Sequence, residues 1–421
     1  MFRFLHAADI HLDSPLVGLE RYELAPIAAT RSATRRAFEN LVQLAIDEQV
    51  AFVVLAGDLF DGKPKDYSTG LFFVDQMAKL EQAKIEVFVV AGNHDFTSNI
   101  TKHLRPPKNV QFFGTKKAET HILESLQVAI HGQGFASRAV SEDLAAGYPA
   151  RSAGMFNLGL LHTSLDGRVG HGTYAPTSVQ VLTQKGYEYW ALGHVHKREI
   201  VSKAPWIVFP GNLQGRHAGE TGAKGCVLVT VENGSVKGIE ERAVDVMRWA
   251  ECRVALDACQ TVNDVLDRVE VALQQEAKAS DGRMLAVRIH LHGTVPCFHE
   301  LKARRDHVTN EIRGLACRAT AAEVWIEKVQ FSATAPQTPS AALAQQESEG
   351  GILSELAGGA TTPEELRSLR EALSDLRKAL PVDLTEGEDA IDLDSPEFLE
   401  ALAADAREIL LARLSDEGAA K

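Results

Sequence analysis

Polar residues able to do chemistry gather at the ends of short apolar runs in this 421-residue chain, five times over. Phe2–Ala7 leads into Asp9-Ile10-His11, Phe52–Ala56 into Gly57-Asp58-Leu59-Phe60-Asp61, and Glu86–Ala91 into Gly92-Asn93-His94-Asp95. Further on, Met155–Leu161 leads into His162-Thr163, and Tyr189–Leu192 into Gly193-His194-Val195-His196. Such a chain is constrained to a fold that delivers many strand ends to one place. Between the first runs lie helical patterns. In 31–49, Ala37, Leu41, Leu44 and Ala45 recur at i, i+4, i+7 and i+8 as one apolar face, and Ser68–Leu80 behaves likewise. This strand–helix–strand rhythm predicts an α/β fold with a largely parallel sheet, its working loops at the strands' C-terminal ends. Val110–Phe113, Gln127–His131, Ile207–Pro210, Cys226–Val231 and Val236–Glu241 supply enough further strands for a second sheet packed on the first.

Taken singly, each segment is weak. Asp9 and His11 stand two residues apart, and on extended backbone they would point the same way, but a polar loop end reads identically. Asp58 follows Gly57, which permits a tight turn or a close backbone approach, and its two carboxylate oxygens can be shared between two cations. Gly92-Asn93 alone is a turn; the His94-Asp95 that follows is not something a turn needs. His162 by itself reads equally as a structural histidine. His194 and His196 repeat the two-residue spacing and can send one imidazole to each of two ions. Jointly, carboxylate, amide and imidazole groups without a thiolate suit two divalent ions of the manganese, iron or zinc type and argue against copper. Such a pair activates water and steadies the leaving oxygen of a phosphate ester. Phosphate-ester hydrolysis is therefore the expected reaction, with Asn93 as an amide ligand and His94 protonating the leaving alkoxide.

The series DxH, GDxxD, GNHD, H and GHxH resembles the signature of the calcineurin-like metallophosphoesterases. That resemblance implies a four-layer α/β/β/α sandwich. It implies a first ion held by Asp9, His11, Asp58 and His196, and a second held by the bridging Asp58 with Asn93, His162 and His194. It makes His94 the acid at the leaving oxygen, oriented by Asp95, and manganese the first choice of ion. The stretches Ala7–Leu12, Gly57–Asp61 and Ala191–Lys197 further resemble the SbcD-type DNA-repair exonucleases, and Pro210-Gly211-Asn212-Leu213-Gln214-Gly215-Arg216-His217 resembles their YhaO-like branch. The likeness covers residues 1–245 and extends over 246–330 by architecture only. It implies a manganese-dependent DNA exonuclease, with single-strand endonuclease activity, working in DNA repair beside an SbcC-like, ABC-type coiled-coil ATPase and pairing as a homodimer. Some relatives carry histidine where this chain has Asp61, so Asp61 is expected to fix a ligand from behind rather than to act directly. Arg216 and His217 are candidates to touch substrate phosphate, although a polar loop beside the site reads the same way. The same ligands would serve a small-molecule phosphodiesterase acting on cyclic nucleotides or nucleotide esters. A mainly structural subunit of an ATPase complex is a third reading.

Beyond residue 245 the pattern changes. Arg248–Leu256, Met284–Gly293 and Glu323–Phe331 read as strands alternating with helices Val262–Ala279 and Phe298–Gly314, which suits a small α+β capping domain over 246–331. Residues 332–362, rich in Pro, Gly and Ser, read as a linker. Residues 363–421 read as a helical, partner-binding tail. Thr362 before Pro363-Glu364-Glu365 is a helix-start signal, with Leu366, Leu369, Leu373 and Leu376 on one face. Ser395-Pro396-Glu397 repeats the signal before Phe398, Leu399, Leu402, Ile409, Leu410 and Leu414. The net charge of −13 lies almost wholly here: residues 331–421 hold 7 basic and 19 acidic side chains, whereas 1–250 balance at 26 of each. The global acidity therefore does not exclude a polyanionic substrate. Five scattered cysteines without a CxxC pair suggest reduced thiols and a cytoplasmic setting. The opening residues run straight into a strand with no leader pattern, and no run of 18 apolar residues marks a membrane span.

Overall fold

A computed structural model describes residues 1–16, 32–61, 67–95, 106–167, 174–318, 323–336, 362–379, 392–403 and 406. The first twelve strands are β1 (Phe2–Ala7), β2 (Phe52–Ala56), β3 (Glu86–Val90), β4 (Val110–Phe112), β5 (Glu119–Leu123), β6 (Val128–Gly132), β7 (Phe156–His162), β8 (Tyr189–Gly193), β9 (Glu199–Lys203), β10 (Trp206–Phe209), β11 (Gly225–Glu232) and β12 (Ser235–Ala243). They form two six-stranded sheets, ordered β12-β11-β1-β2-β3-β4 and β5-β6-β7-β8-β10-β9. Strands β1 to β4 run parallel, as do β6, β7, β8 and β10, while β5, β9, β11 and β12 pair antiparallel with their neighbours.

The period-2 geometry of a strand explains why β2 is apolar throughout and why β1 is so apart from Arg3 and His6. Phe4, Phe52 and Val54 face the second sheet, while Leu5, Val53 and Leu55 face helices α1 (Ala33–Asp47) and α2 (Ser68–Gln82). Between the sheets, Phe4 stacks on Phe52 with centroids 4.9 Å apart and meets Tyr189 of β8 edge-on at 5.3 Å. Outside the first sheet, Phe38, Leu41, Phe73 and Met77 close the helical layer. Outside the second, Trp190, Leu192 and Phe209 pack with Leu182 of the short helix α3 (Val179–Gln184), which Ser178 caps by accepting from Val181 N. This gives the expected α/β/β/α layering, with both parallel sets of strands directing their C-terminal ends to the loops that carry the motifs.

A three-stranded sheet follows, made of β13 (Met247–Ala255), β14 (Met284–Thr294) and β15 (Val324–Thr334). Its helices are α4 (Val262–Ala279), α5 (Phe298–Ala303) and α6 (Arg305–Arg318). The single helix expected over 298–314 is thus two, because Arg304 leaves helical backbone with φ −109° and ψ 26°. Strand β15 runs on to Thr334, so the first residues of the expected linker are strand; 337–361 lie outside the described residues. The chain divides into two compact units, one of Met1–Cys252, Leu273–Ile289 and Ala319–Lys328, the other of Arg253–Ala272, His290–Arg318 and Val329–Lys421.

In the tail, α7 (Pro363–Ala372) starts with a full capping box: Thr362 Oγ1 accepts from Glu365 N, and Glu365 Oε2 accepts from Thr362 N. A short helix α8 (Ser374–Ala379) follows, and residues 396–403 are helical, with Leu393 and Leu399 buried. Ile409, Leu410 and Leu414 lie outside the described residues. All five cysteines are free thiols. Among the described residues no helix is long and apolar enough to cross a membrane.

Candidate metal centre

The loops after β1, β2 and β3 bring Asp9, Asp58 and Asn93 to the ends of β7 and β8, where His162 and His194 stand. All five are buried. The expectation that Asp9 and His11 project together from extended backbone is corrected here. Asp9 and His11 have φ of +51° and +45°, Asp58 has +52° and His194 +103°. Left-handed backbone at residues other than glycine is uncommon and costs on the order of 1–3 kcal/mol each, so surrounding structure must hold it. It does: Asp9 N donates to Gly57 O, Ile10 N and His11 N donate to Asp58 O, and Leu12 bridges to Phe60 in parallel register.

Among the described residues three groups of ligand-type atoms result: one of His11, Asp61 and His94, and two made of the residues expected to ligate. Atoms of Asp9, His11 and His196 lie within 4.8 Å of one another, and so do atoms of Asp58, His162 and His194. Asp58 stands between these two groups, its Oδ2 3.4 Å from His162 Nε2 and 3.9 Å from His11 Nε2. Asn93 Oδ1 lies 2.9 Å from His162 Nε2. The glycines of the motifs are there for clearance: a Cβ at Gly92 would stand 2.2 Å from Asp58 Oδ1, and one at Gly57 2.4 Å from His162 Nδ1.

The donor chemistry fits cations. His162 Nδ1 faces the carbonyl of Ala56 at 2.9 Å, which only accepts, so Nδ1 carries a proton. Nε2 then points at two further oxygens, Asn93 Oδ1 and Asp58 Oδ2, which a cation among them would satisfy. His11 Nε2 and His196 Nε2 face each other at 3.4 Å, and His11 Nδ1 is buried without a hydrogen-bond partner. Burial disfavours the charged form of His162, but the adjoining Asp58 carboxylate outweighs it and lifts His162 to about 9. Asp58 is itself drawn well below the usual carboxylate range: burial opposes this, and the His162 charge and hydrogen bond prevail. Burial raises Asp9 to about 6 and pushes His11 far down. Deprotonated ligands around a cation resolve these competing demands.

His94 is only half-buried and lies edge-on to His11, with ring centroids 5.0 Å apart. Its Nδ1 contacts Asp61 Oδ1 at 2.9 Å, and that hydrogen bond is the main reason His94 is raised above its ordinary value. Asp95 does not take the orienting position expected of it. Its carboxylate is turned inward, accepting from Phe60 N and Gly92 N, where it ties two ligand loops together. The carboxylate on His94 is that of Asp61, whose other oxygen accepts from Ser14 Oγ at 2.9 Å.

Arg216 and His217 sit in the loop after β10, pinned by Trp249 Nε1 donating to Gly215 O. The Arg216 guanidinium approaches His196 Nδ1 at 3.3 Å and Ser14 Oγ at 3.5 Å. His217 lies further out, 40% exposed. Glu220 was not singled out by the sequence, yet it is buried with Oε1 2.6 Å from His196 Nδ1. No motif marks it; the only hint is a lone acid four residues after Arg216.

Residues 2–198 match the model of the family described as calcineurin-like phosphoesterase, and residues 249–334 match that of the metallophosphoesterase YhaO middle domain. The chain is 35% identical to the uncharacterized metallophosphoesterase YhaO of Bacillus subtilis (strain 168) over 297 residues, 70% of this chain and 72% of that protein. The chain belongs to the calcineurin-like phosphoesterases. It is 24% identical to the DNA double-strand break repair protein Mre11 of Methanopyrus kandleri, over 73% of this chain and 72% of that one. It is also 34% identical to a subunit of the nuclease SbcCD of Bacillus subtilis, over 22% of each chain. As a calcineurin-like phosphoesterase the chain is a metal-dependent hydrolase of phosphate esters.

Proposed function

We propose that the chain hydrolyses DNA phosphodiesters at a two-ion centre, with manganese in both positions, as an exonuclease that also cuts single strands. The single observation that supports the two-ion centre is the position of Asp58 between His11 and His162, where in this proposal one carboxylate serves both groups. In the proposal Asp9, His11, Asp58 and His196 hold one ion, and Asp58, Asn93, His162 and His194 the other. When bound, the ions supply a nucleophile at neutral pH and positive charge at the phosphate. The protein's own groups do the rest: His94 protonates the departing oxygen, Asp61 holds the His94 ring, and Arg216 meets a phosphate oxygen, with His217 at the rim. Asp95 serves by fixing the loops rather than by touching substrate.

The DNA reading draws its support from the named activities of the Mre11 and SbcCD relatives. With it come action in DNA repair, residence in the cytoplasm and pairing as a homodimer. Residues 1–245 form the nuclease domain in this proposal, 246–331 the cap, and 332–362 a linker to the acidic tail 363–421, which grips an SbcC-like ABC-type ATPase. The test is metal analysis of the purified protein with manganese-dependent digestion of end-labelled DNA, set against a cyclic nucleotide. Asn93→Ala and His94→Ala should abolish nicking while the fold persists. Robust digestion by the His94→Ala protein would overturn the role of His94. Hydrolysis of the cyclic nucleotide with DNA left intact would overturn the substrate.

A further inference from the structure

The two histidines that lead the candidate ion sites are backed by different chemistry. His162 Nδ1 meets a neutral carbonyl, Ala56 O, at 2.9 Å. His196 Nδ1 meets a buried carboxylate, Glu220 Oε1, at 2.6 Å. Only Nδ1–H can satisfy that carboxylate, so Nε2 of His196 is left to face Asp9 and His11 as a lone pair.

Glu220 is itself firmly placed. Its Oε2 accepts from Arg216 N and from Asn212 Nδ2, both at 2.7 Å. Arg216 Nη2 and His217 Nε2 lie 3.5 Å from Oε1. A charged acceptor behind a ligating imidazole fixes its orientation and increases the electron density on the opposite nitrogen, whereas a carbonyl gives orientation with much less of the second effect.

We infer that Glu220 is a positioning residue that acts through His196 and makes the Asp9–His11–His196 group the tighter of the two ion sites. The inference rests on the two-ion reading above. On general grounds, loss of such a partner weakens the ion held through its histidine by about 10–100-fold.

Manganese binding to the full chain, stripped with chelator and titrated while free Mn2+ is counted by electron paramagnetic resonance, tests it without reference to turnover. The wild type should bind two ions with unequal affinity. Glu220→Gln should weaken the tighter site by about 10–100-fold and leave the other unchanged. In a His196→Gln background, Glu220→Gln should add no further loss, because its partner is already gone. Fewer than two ions on the wild type would overturn the two-ion reading and this inference with it. Two ions on the wild type with undiminished affinity in Glu220→Gln would overturn the inference alone, as would an additive loss in the double variant. Should circular dichroism show Glu220→Gln unfolded, Glu220→Asp is read instead. A charge kept on a shorter arm should weaken the same site by a smaller factor, and unchanged binding would overturn the inference.

Discussion

Asp61 Oδ1 lies 2.9 Å from Nδ1 of His94, so a carboxylate from the GDLFD segment is the one that holds the histidine of the GNHD segment. If His94 delivers a proton to the leaving oxygen, Asp61→Asn should lower turnover by about 10–100-fold on DNA, a part of the roughly 100- to 10,000-fold that general acid catalysis supplies. A p-nitrophenyl ester, whose leaving group needs no proton, should be nearly spared. Equal losses on the two substrates would show that Asp61 does not act through His94.

Clearance at the glycines can be probed without touching a ligand. A Cβ at Gly92 would stand 2.2 Å from Asp58 Oδ1 and 2.7 Å from the Asp58 backbone N, so Gly92→Ala should displace the Asp58 loop, losing about 100-fold in rate, as misplacement of a reacting group does, together with some stability. A Cβ at Gly193 would stand 1.9 Å from Ala56 O, which is backbone, so Gly193→Ala should cost on the order of 3 kcal/mol or more in stability. Gly147→Ala meets nothing within 4 Å and should change the melting temperature little. Denaturation curves beside rates would separate the three.

His6 gives the apo protein an acid-sensitive core. It is buried between Tyr189 Oη at 3.0 Å and Leu192 O at 3.1 Å, and burial lowers it from 6.5 to about 3. Because the folded value lies below the unfolded one, the unfolded chain takes up the proton first. The stability from neutral His6 is therefore complete above pH 6.5 and drains away as pH falls towards 3, on the order of 4 kcal/mol across that window. Asp9 and Asp95, both raised to about 6 by burial, act in the opposite sense, so the difference between wild type and His6→Gln is what should be measured. Parallel pH–stability curves for the two proteins would refute the assignment.

Manganese should stabilise the chelator-stripped protein against heat, by about 2.7 kcal/mol when the free ion is a hundred times its dissociation constant. Asp58→Ala, which removes the carboxylate lying between both groups, should erase most of that gain. A full thermal shift in Asp58→Ala would place the ions elsewhere.

Deleting 337–421 spares β15, which ends at Thr334. The shortened protein should keep manganese-dependent ester hydrolysis and lose co-purification with the ATPase. Retained co-purification would move the docking surface out of the tail.

The sequence announced strands buried on both faces most clearly, because β1, β2 and β3 are apolar apart from Arg3, His6 and Glu86, and their ends coincide with the motifs. Strands β5 and β9 escaped notice for the opposite reason. Both lie at the edges of the second sheet, where exposed Ile122 and Ile200 share five-residue strands with polar and charged side chains and leave no apolar run to read. In the site, spacing revealed which residues gather but not how the backbone turns, so the left-handed conformations of Asp9 and His11 and the inward turn of Asp95 were out of reach. Glu220 was hidden because its partner His196 lies 24 positions away and contact of that kind leaves no local pattern.

The left-handed backbone at Asp9, His11, Asp58 and His194 narrows what evolution can write there. Aspartate, asparagine and histidine are the side chains, glycine apart, that tolerate this conformation best, and aspartate and histidine are also good ligands for hard and borderline ions. Glutamate at Asp58 would keep the charge and lose the backbone, while asparagine would keep the backbone and lose the charge. Two independent filters thus select nearly the same small alphabet at each position, so the motif letters record a conformation as well as a chemistry.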